Sequence, residues 1–199
     1  IKKAYTKING NLVLVWDITE NKYFIIKLTK TSKQMKVTIN TSDLLLMTTF
    51  PYKHLESGAI DWGDGSSTEI NSTEYEYTHI YDDGITDTTI TIKSNDTIVD
   101  FYENFCNFEN ADAYIIIPNS ITTIGSAKFS PSSSDDCYKN LIGVTIPESV
   151  VSIGASAFEG CSKLKELILP SSIEVISEYM CKNCTSLEFV SAKNVKIIS

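Results

Sequence analysis

The segment TIPESVVSIGASAFEGCSKLKEL, residues 145–167, decides the fold of the C-terminal half because its pattern recurs along the chain. Counted from Pro118, Pro147 and Pro170, an apolar residue follows at the third position and an isoleucine at the sixth. These prolines are 29 and 23 residues apart, and a Ser- and Asp-rich insertion accounts for the longer interval. A period in the low twenties is too short for helical-hairpin repeats and is typical of one turn of a leucine-rich solenoid.

Each turn is predicted to contain one short strand. Leu164, Leu167 and Leu169 have the L-x-x-L-x-L spacing that sends three side chains into the core. Glu166 and Ile168 alternate with them, so they are expected on the opposite face. Proline then ends the strand because it has no N–H for further ladder hydrogen bonds.

The five cysteines all lie in the second half, at positions 106, 137, 161, 181 and 184. An odd number in a chain of this length is not typical of a disulfide framework. Cys161 and Cys184 are one period apart, which predicts that one interior position of each turn takes a small apolar side chain. We expect these two cysteines to be reduced thiols.

The repeat resembles the BspA-like family of leucine-rich repeats, whose pattern I-P-x-S-V-x-x-I-x-x-x-A-F-x-x-C-x-x-L is carried by residues 145–167. The resemblance covers residues 111–199, and the segment from Asn95, with Phe105 and Cys106, resembles a degenerate first turn. It implies a surface or secreted protein of a bacterium or protist that acts in adhesion and partner binding.

The first half has no such period and instead shows short alternating runs separated by Gly, Asp and Ser clusters, which predict antiparallel strands. The W-G-D-G run at 62–65, followed by His79, Tyr81 and Gly84, resembles the PKD-like fold, an immunoglobulin-type sandwich common in extracellular proteins. Trp62 is predicted to fill the sandwich, while Asp64 caps the turn with its side chain.

The fold class expected is therefore mostly β, with less than about a fifth of the residues in helices. A PKD-like β-sandwich would be followed by a short leucine-rich-repeat solenoid. The domains predicted are an N-terminal strand or arm at 1–21, the sandwich at 22–93 and the repeats at 94–199. The last strand of the sandwich leads into the repeats without a Gly or Pro linker, so Ile90 and Ile92 are expected beside the first turn, closing its open end.

Charge excludes some function classes. The net charge is −8, with nine Lys against four acidic residues in 1–58 and eight against twenty-one in 59–199. All the basic residues are Lys, so no guanidinium is available for bidentate phosphate or base contacts, and nucleic-acid binding is not expected. Membrane insertion is not expected either, because no apolar stretch is long enough to span a bilayer.

The sequence contains weak signals for two metal sites. Four aspartates near the W-G-D-G turn could offer oxygen ligands to Ca²⁺, but they lack the spacing of a calcium loop: Asp61, Asp64, Asp82 and Asp83. Cys181 and Cys184 form C-x-x-C without a second ligand pair, and a solenoid turn does not provide a thioredoxin-like setting. We expect no metal and no cofactor.

Catalysis is not expected. His79 could act as a general base beside Asp61 or Asp64, but no motif ties a Ser or Cys nucleophile to it. The H-x-Y pattern instead predicts a structural histidine that hydrogen-bonds near the turn. The chain is therefore predicted not to be an enzyme.

The binding surface expected is the outward face of the repeat strands. Its residues are Tyr114, Ile116, Gly143, Thr145, Glu166, Ile168, Phe189 and Ser191. This row is unusually apolar for solvent, which favours an interaction surface. The alternative is that the chain's own loops, such as the insertion near Ser132, cover part of it.

Two functions remain open. The first is a cell-surface or secreted binding module, of the adhesion type, with a protein or glycan partner. The second is a structural or receptor-binding component of a phage virion or a surface layer, since residues 1–18 resemble short segments between the domains of phage structural proteins. A third class, a protein whose main role is glycan binding with or without hydrolysis, is less favoured because the predicted sheet carries few aromatic rings for stacking and no evident acid pair.

The C-terminal end, from Phe189, begins a further turn with apolar residues at Val195, Ile197 and Ile198. A solenoid needs a polar cap at its end, and none follows here. We expect either that the natural chain continues with more repeats or that copies associate end to end.

Overall fold

The structure, a computed structural model, describes residues 3–8, 11–17, 23–31, 34–46, 53–102, 105–131 and 137–198; for 3–8, 11–17 and Cys137 it describes the backbone alone. Within these ranges the chain forms twenty strands and two 3-10 turns, at Thr41–Asp43 and Cys137–Asn140, and no α-helix. The prediction that the chain is mostly β is confirmed.

The first ten strands are β1 Lys3–Ile8, β2 Asn11–Asp17, β3 Phe24–Lys30, β4 Lys36–Asn40, β5 Leu44–Leu46, β6 Lys53–His54, β7 Gly58–Asp61, β8 Ser67–Ile70, β9 Glu76–Ile80 and β10 Asp87–Ser94. The other ten are β11 Ile98–Phe101, β12 Cys106–Glu109, β13 Ala111–Ile116, β14 Thr123–Ile124, β15 Leu141–Thr145, β16 Ser152–Ile153, β17 Glu166–Ile168, β18 Val175–Ile176, β19 Phe189–Ser191 and β20 Ile197–Ile198.

The largest sheet joins the two halves of the chain. Its strand order is β15-β13-β3-β10-β7-β8, and only the β13–β15 pair is parallel. Two three-stranded sheets, β12-β4-β9 and β11-β5-β6, are antiparallel throughout. Strand pairing therefore crosses the expected domain boundary at residues 93 and 94, because β3 pairs with β13 and β4 pairs with β12.

The core receives alternate residues of these strands. On β3, Phe24, Ile26 and Leu28 are buried, and on β4 Val37 and Ile39 are buried, while the residues between them are partly exposed. Each fully buried side chain of this size stabilises the fold by about 1.5–3 kcal/mol relative to an exposed one. Alternation of this kind is what the short apolar and polar runs predict.

The position expected for Ile90 and Ile92 is wrong. Their strand, β10, pairs with β3 on one edge and with β7 on the other, so neither edge is free for the repeats. It is β3 that lies beside the first repeat strand: Ile26 pairs with Ile90 on one side and with Ile115 on the other. An antiparallel strand from early in the chain thus occupies the place that we assigned to β10.

Successive repeats pair in parallel. The pairs are β13 with β15, β14 with β16, β17 with β19 and β18 with β20. The return segments are also joined by backbone hydrogen bonds, such as Phe129 N–H to the carbonyl of Ala157, at 2.9 Å, and Phe158 N–H to the carbonyl of Met180, also at 2.9 Å. Equivalent positions of neighbouring turns therefore lie next to each other.

Phenylalanine and cysteine alternate along the interior of the return segments. The rings of Phe129 and Phe158 stack with centroids 5.1 Å apart and an interplanar angle of 5°. The thiol of Cys161 donates to the Phe129 carbonyl at 3.0 Å, and the thiol of Cys184 donates to the Phe158 carbonyl at 3.0 Å. The recurring cysteine therefore also caps a backbone carbonyl of the preceding turn, a role that the sequence pattern did not indicate.

The return segments share a sharp bend at one repeat position. Ala127, Ser156 and Tyr179 stand nine positions after the three repeat prolines, and their φ angles are 57°, 56° and 56°. This left-handed backbone costs a residue with a Cβ about 1–2 kcal/mol. Because the same position is strained in three turns, the bend belongs to the repeat and not to one local sequence.

Candidate binding surface

The outward face of the repeats is open on β17 and β19. In their parallel register Glu166 lies beside Phe189 and Ile168 beside Ser191, so these four residues share one face. Ile168 is 53% exposed and Phe189 is 56% exposed, whereas Leu167, on the other face, is fully buried. Glu166 and Ser191 are partly exposed. The face assigned to Leu164, Leu167 and Leu169 by the sequence pattern is confirmed as the core face.

The exposure predicted for Tyr114 and Ile116 is wrong. Tyr114 is 8% exposed and Ile116 is 2% exposed, and together they form a small second core against which Ile25 and Ile142 pack. The cause is β3, which pairs with β13 and places Ile25 directly beside Ile116. The Tyr114 hydroxyl also makes a 2.9 Å hydrogen bond with the hydroxyl of Thr145. These two residues therefore cannot offer the surface that we predicted.

Gly143 makes room for the Tyr114 ring. A Cβ at position 143 would lie 2.5 Å from Cε2 of Tyr114, so any side chain there would force the ring to move. A glycine inside a strand is a known sign of such a close approach, and the sequence offered that signal. Lys27 pairs with Tyr114 in the sheet register, and its partial burial lowers the pKa of its amino group.

The W-G-D-G turn is held by its own aspartates. The Asp64 carboxylate accepts hydrogen bonds from Ser66, at 2.9 Å from the backbone N and 2.6 Å from Oγ, and lies 2.7 Å from Nε2 of His79. Burial would raise the pKa of Asp64, but the bonds from Ser66 and His79 outweigh it and lower the pKa to about 2. Asp61 binds Lys93 Nζ at 2.9 Å, and this bond lowers its pKa.

His79 is packed as part of the interior of this turn. Its ring stacks on Trp62 with centroids 4.9 Å apart and an interplanar angle of 13°. Trp62 is buried, and its backbone carbonyl accepts hydrogen bonds of 2.9 Å from the hydroxyls of Tyr81 and Thr88. The prediction that His79 hydrogen-bonds near the turn is confirmed, and its partner is Asp64.

Three of the four aspartates of the candidate calcium site have partners elsewhere in the protein. Over the described ranges, no group of three or more His, Cys, Asp or Glu side chains is placed to hold a metal ion. Asp61 lies 2.9 Å from Nζ of Lys93, Asp64 lies 2.7 Å from Nε2 of His79, and Asp83 lies 3.5 Å from Nζ of Lys30.

The C-x-x-C pair lies in the last complete turn. The Cys184 thiol lowers the pKa of Cys181, whereas the sulfur of Cys181, together with burial, raises the pKa of Cys184. The Cys184 thiol donates a hydrogen bond to the Phe158 carbonyl. Both side chains are partly buried.

Comparison with known proteins supports the repeat assignment. A model described as the BspA type leucine rich repeat region matches residues 68–199 in six copies. The match begins within the segment that we assigned to the PKD-like domain, at a residue of β8. No curated protein and no solved structure matches the chain. Because the family model covers well over half of the 199 residues, the chain belongs to the BspA-type leucine-rich repeat family.

Proposed function

We propose that the protein is a non-catalytic binding module of the adhesion type, at a cell surface or secreted. Its repeats would form a short solenoid attached to a PKD-like β-sandwich. The support at the coarser level is the family, whose members are commonly surface-associated or secreted and act in binding and adhesion. In the part of the chain that the structure describes, no helix has the length and apolar character needed to cross a membrane.

The observation that carries the proposal is the open face of β17 and β19. Two large apolar side chains, Ile168 and Phe189, are more than half exposed on neighbouring strands, where burial by a partner would gain about 25 cal/mol per Å². Apolar groups surrounded by polar ones mark interaction sites on soluble proteins. The polar neighbours here are Glu166 and Ser191, with Thr145 on the next strand.

The partner class is a protein or a glycan. A net charge of −8 disfavours a polyanion, and the exposed Phe189 ring can pack on an apolar side chain or a sugar face equally well. Polar side chains elsewhere hydrogen-bond to each other, as Asp64 does to His79. Because they serve the fold in this way, binding is favoured over catalysis. The alternative of a virion or surface-layer component gains no support from the family match.

The experiment is a selection of binders on the immobilised 199-residue chain, with a displayed random-peptide library and, in parallel, a printed glycan array. Ile168→Lys and Phe189→Lys should each weaken the selected binders at least about tenfold, roughly 1.4 kcal/mol. Val151→Lys is the control, since Val151 is 61% exposed but lies on a return segment. Binders that tolerate both substitutions, or the absence of binders in both arms, would refute this proposal.

A further inference from the structure

The outer side of β9 is an open strand edge. Among the described strands β9 pairs with β4 alone, in antiparallel fashion. The N–H of Tyr81 donates to the carbonyl of Met35 on the β4 side at 3.0 Å. Because such bonds alternate along an antiparallel pair, the residues between them turn their N–H and C=O groups away from β4. These residues are Glu76, Thr78 and Ile80.

The side chains at this edge are also accessible. Glu76 and Thr78 are exposed and Ile80 is 54% exposed, whereas Tyr77 is buried in the core. The strand contains neither Lys nor Pro, and its register with β4 has no bulge. Lysine, proline and bulges are the features by which natural proteins keep strand edges from pairing, so β9 is able to accept a further strand.

The strand β11 shows how this protein closes another sheet edge. The carbonyl of Ile98 accepts a hydrogen bond from Oγ of Ser120, and the carbonyl of Phe101 accepts one from Nζ of Lys128. Both donors belong to the first repeat, which therefore covers β11. Within the described residues no side chain makes a bond of this kind to the outward-pointing carbonyls of β9.

Acidic side chains line the β9 edge. Glu74 stands two positions before Glu76, Asp82 stands two positions after Ile80, and these carboxylates are all exposed. Within the described part of the chain, none of them forms an ion pair. They favour an occupant that carries Lys or Arg. A second copy is disfavoured, because antiparallel pairing centred on Thr78 would set Glu74 of one copy opposite Asp82 of the other.

We propose that the outer edge of β9 is a strand-addition site for a basic extended segment of a partner protein. The segment pairs antiparallel with β9, so its backbone bonds supply affinity and its alternate side chains supply specificity. A basic side chain lies opposite Glu76, a small polar one opposite Thr78 and an apolar one opposite Ile80. This site is separate from the outward face of β17 and β19, and it does not depend on the function proposed for that face.

The probe is a synthetic peptide with blocked ends, Lys-Thr-Val-Val-Thr-Val-Lys-Thr-Lys, whose odd positions carry these side chains in antiparallel order. Fluorescence anisotropy with the 199-residue chain should give a dissociation constant tighter than about 300 µM. Two control peptides should bind at least about tenfold more weakly. One has Glu in place of Lys, and the other has methylated amides at its odd positions, which cannot pair with a strand edge.

Thr78→Pro removes an N–H that points to the open edge and leaves the ladder bonds between β4 and β9 in place, so it should weaken the peptide at least about tenfold. Thr78→Ala keeps this N–H and is the matched control, with a change below about threefold. Ile168→Lys, on the outward face of β17, should leave the affinity unchanged. In the complex, amide exchange should slow at Thr78 and Ile80.

Circular dichroism of every variant checks that the fold is kept, and the methylated peptide tests the same pairing without any change to the protein. The proposal is overturned by a dissociation constant weaker than about 300 µM, or by equal binding of the methylated peptide. Unchanged exchange at Thr78 and Ile80 in the complex overturns it too. An excess of the peptide blocks this edge during the library selection described above, so that binders at β9 are not counted against the outward face.

Discussion

The thiol of Cys161 donates a 3.0 Å hydrogen bond to the backbone carbonyl of Phe129, one turn earlier in the stack. Cys184 makes the same bond to Phe158 in the next turn. The cysteine of the repeat therefore joins successive turns by a polar contact within an apolar interior. Its recurrence has both a packing reason and a hydrogen-bonding reason.

Cys161→Ala should reduce the free energy of unfolding by about 1–2 kcal/mol, because the Phe129 carbonyl loses its donor and a small cavity remains. Cys184→Ala, in the partly exposed last turn, should cost about 0.5 kcal/mol, since water can replace the donor. Urea denaturation measures both values. A neutral Cys161→Ala would mean that the thiol only fills space.

Ala127→Gly should stabilise the protein by about 0.5–1 kcal/mol, because glycine adopts the left-handed backbone at this position without strain. Ala155→Gly is the matched control, since Ala155 is not among the described left-handed residues and the change there should destabilise by a similar amount. Opposite signs in thermal denaturation are expected. Destabilisation by both would show that the bend at 127 is not strained.

Stability should fall on acidification through Asp64. Its pKa is about 2 in the folded chain, below the ordinary value of 3.8, so its contribution is fully present above about pH 4 and is lost as the pH falls towards 2. Asp64→Asn should remove about 1–2 kcal/mol of stability at neutral pH and flatten this acid dependence. Asp96→Asn, at an exposed carboxylate, is the control. An unchanged acid profile in Asp64→Asn would contradict the account of the turn.

Lysine substitution at the same repeat position should cost very different amounts of folding stability in two turns. Ile116 and Ile168 both stand two residues before a repeat proline, but they are 2% and 53% exposed. Ile116→Lys should cost more than about 3 kcal/mol through burial of a charge, and Ile168→Lys less than about 0.5 kcal/mol. Equal costs in chemical denaturation would show that β3 does not cover the first turn.

This contrast also explains how far the sequence could predict the structure. The period fixes the core side of each strand, and Leu164, Leu167 and Leu169 are buried as expected. The same period predicted that Ile116 and Ile168 would be equally exposed. A repeat pattern contains no information on a neighbouring strand that is not itself part of the repeat. That neighbour is β3, from residues 24–30, whose pairing with β13 is set by long-range contacts.

The W-G-D-G turn was more predictable, because its bonds are local. Asp64 caps the turn by accepting from Ser66, two residues on, as the sequence indicated. The stacking of His79 on Trp62 depends on a strand that returns later in the chain, and only the structure could place it.

The most direct test of the binding account is amide hydrogen exchange of the 199-residue chain with and without a binder selected on it. Slower exchange should be confined to residues 164–169 and 187–192, which carry β17 and β19 with their flanks. Protection instead at the turn between β7 and β8, or along the return strands β14 and β16, would contradict the claim that the outward face of the last repeats is the binding surface.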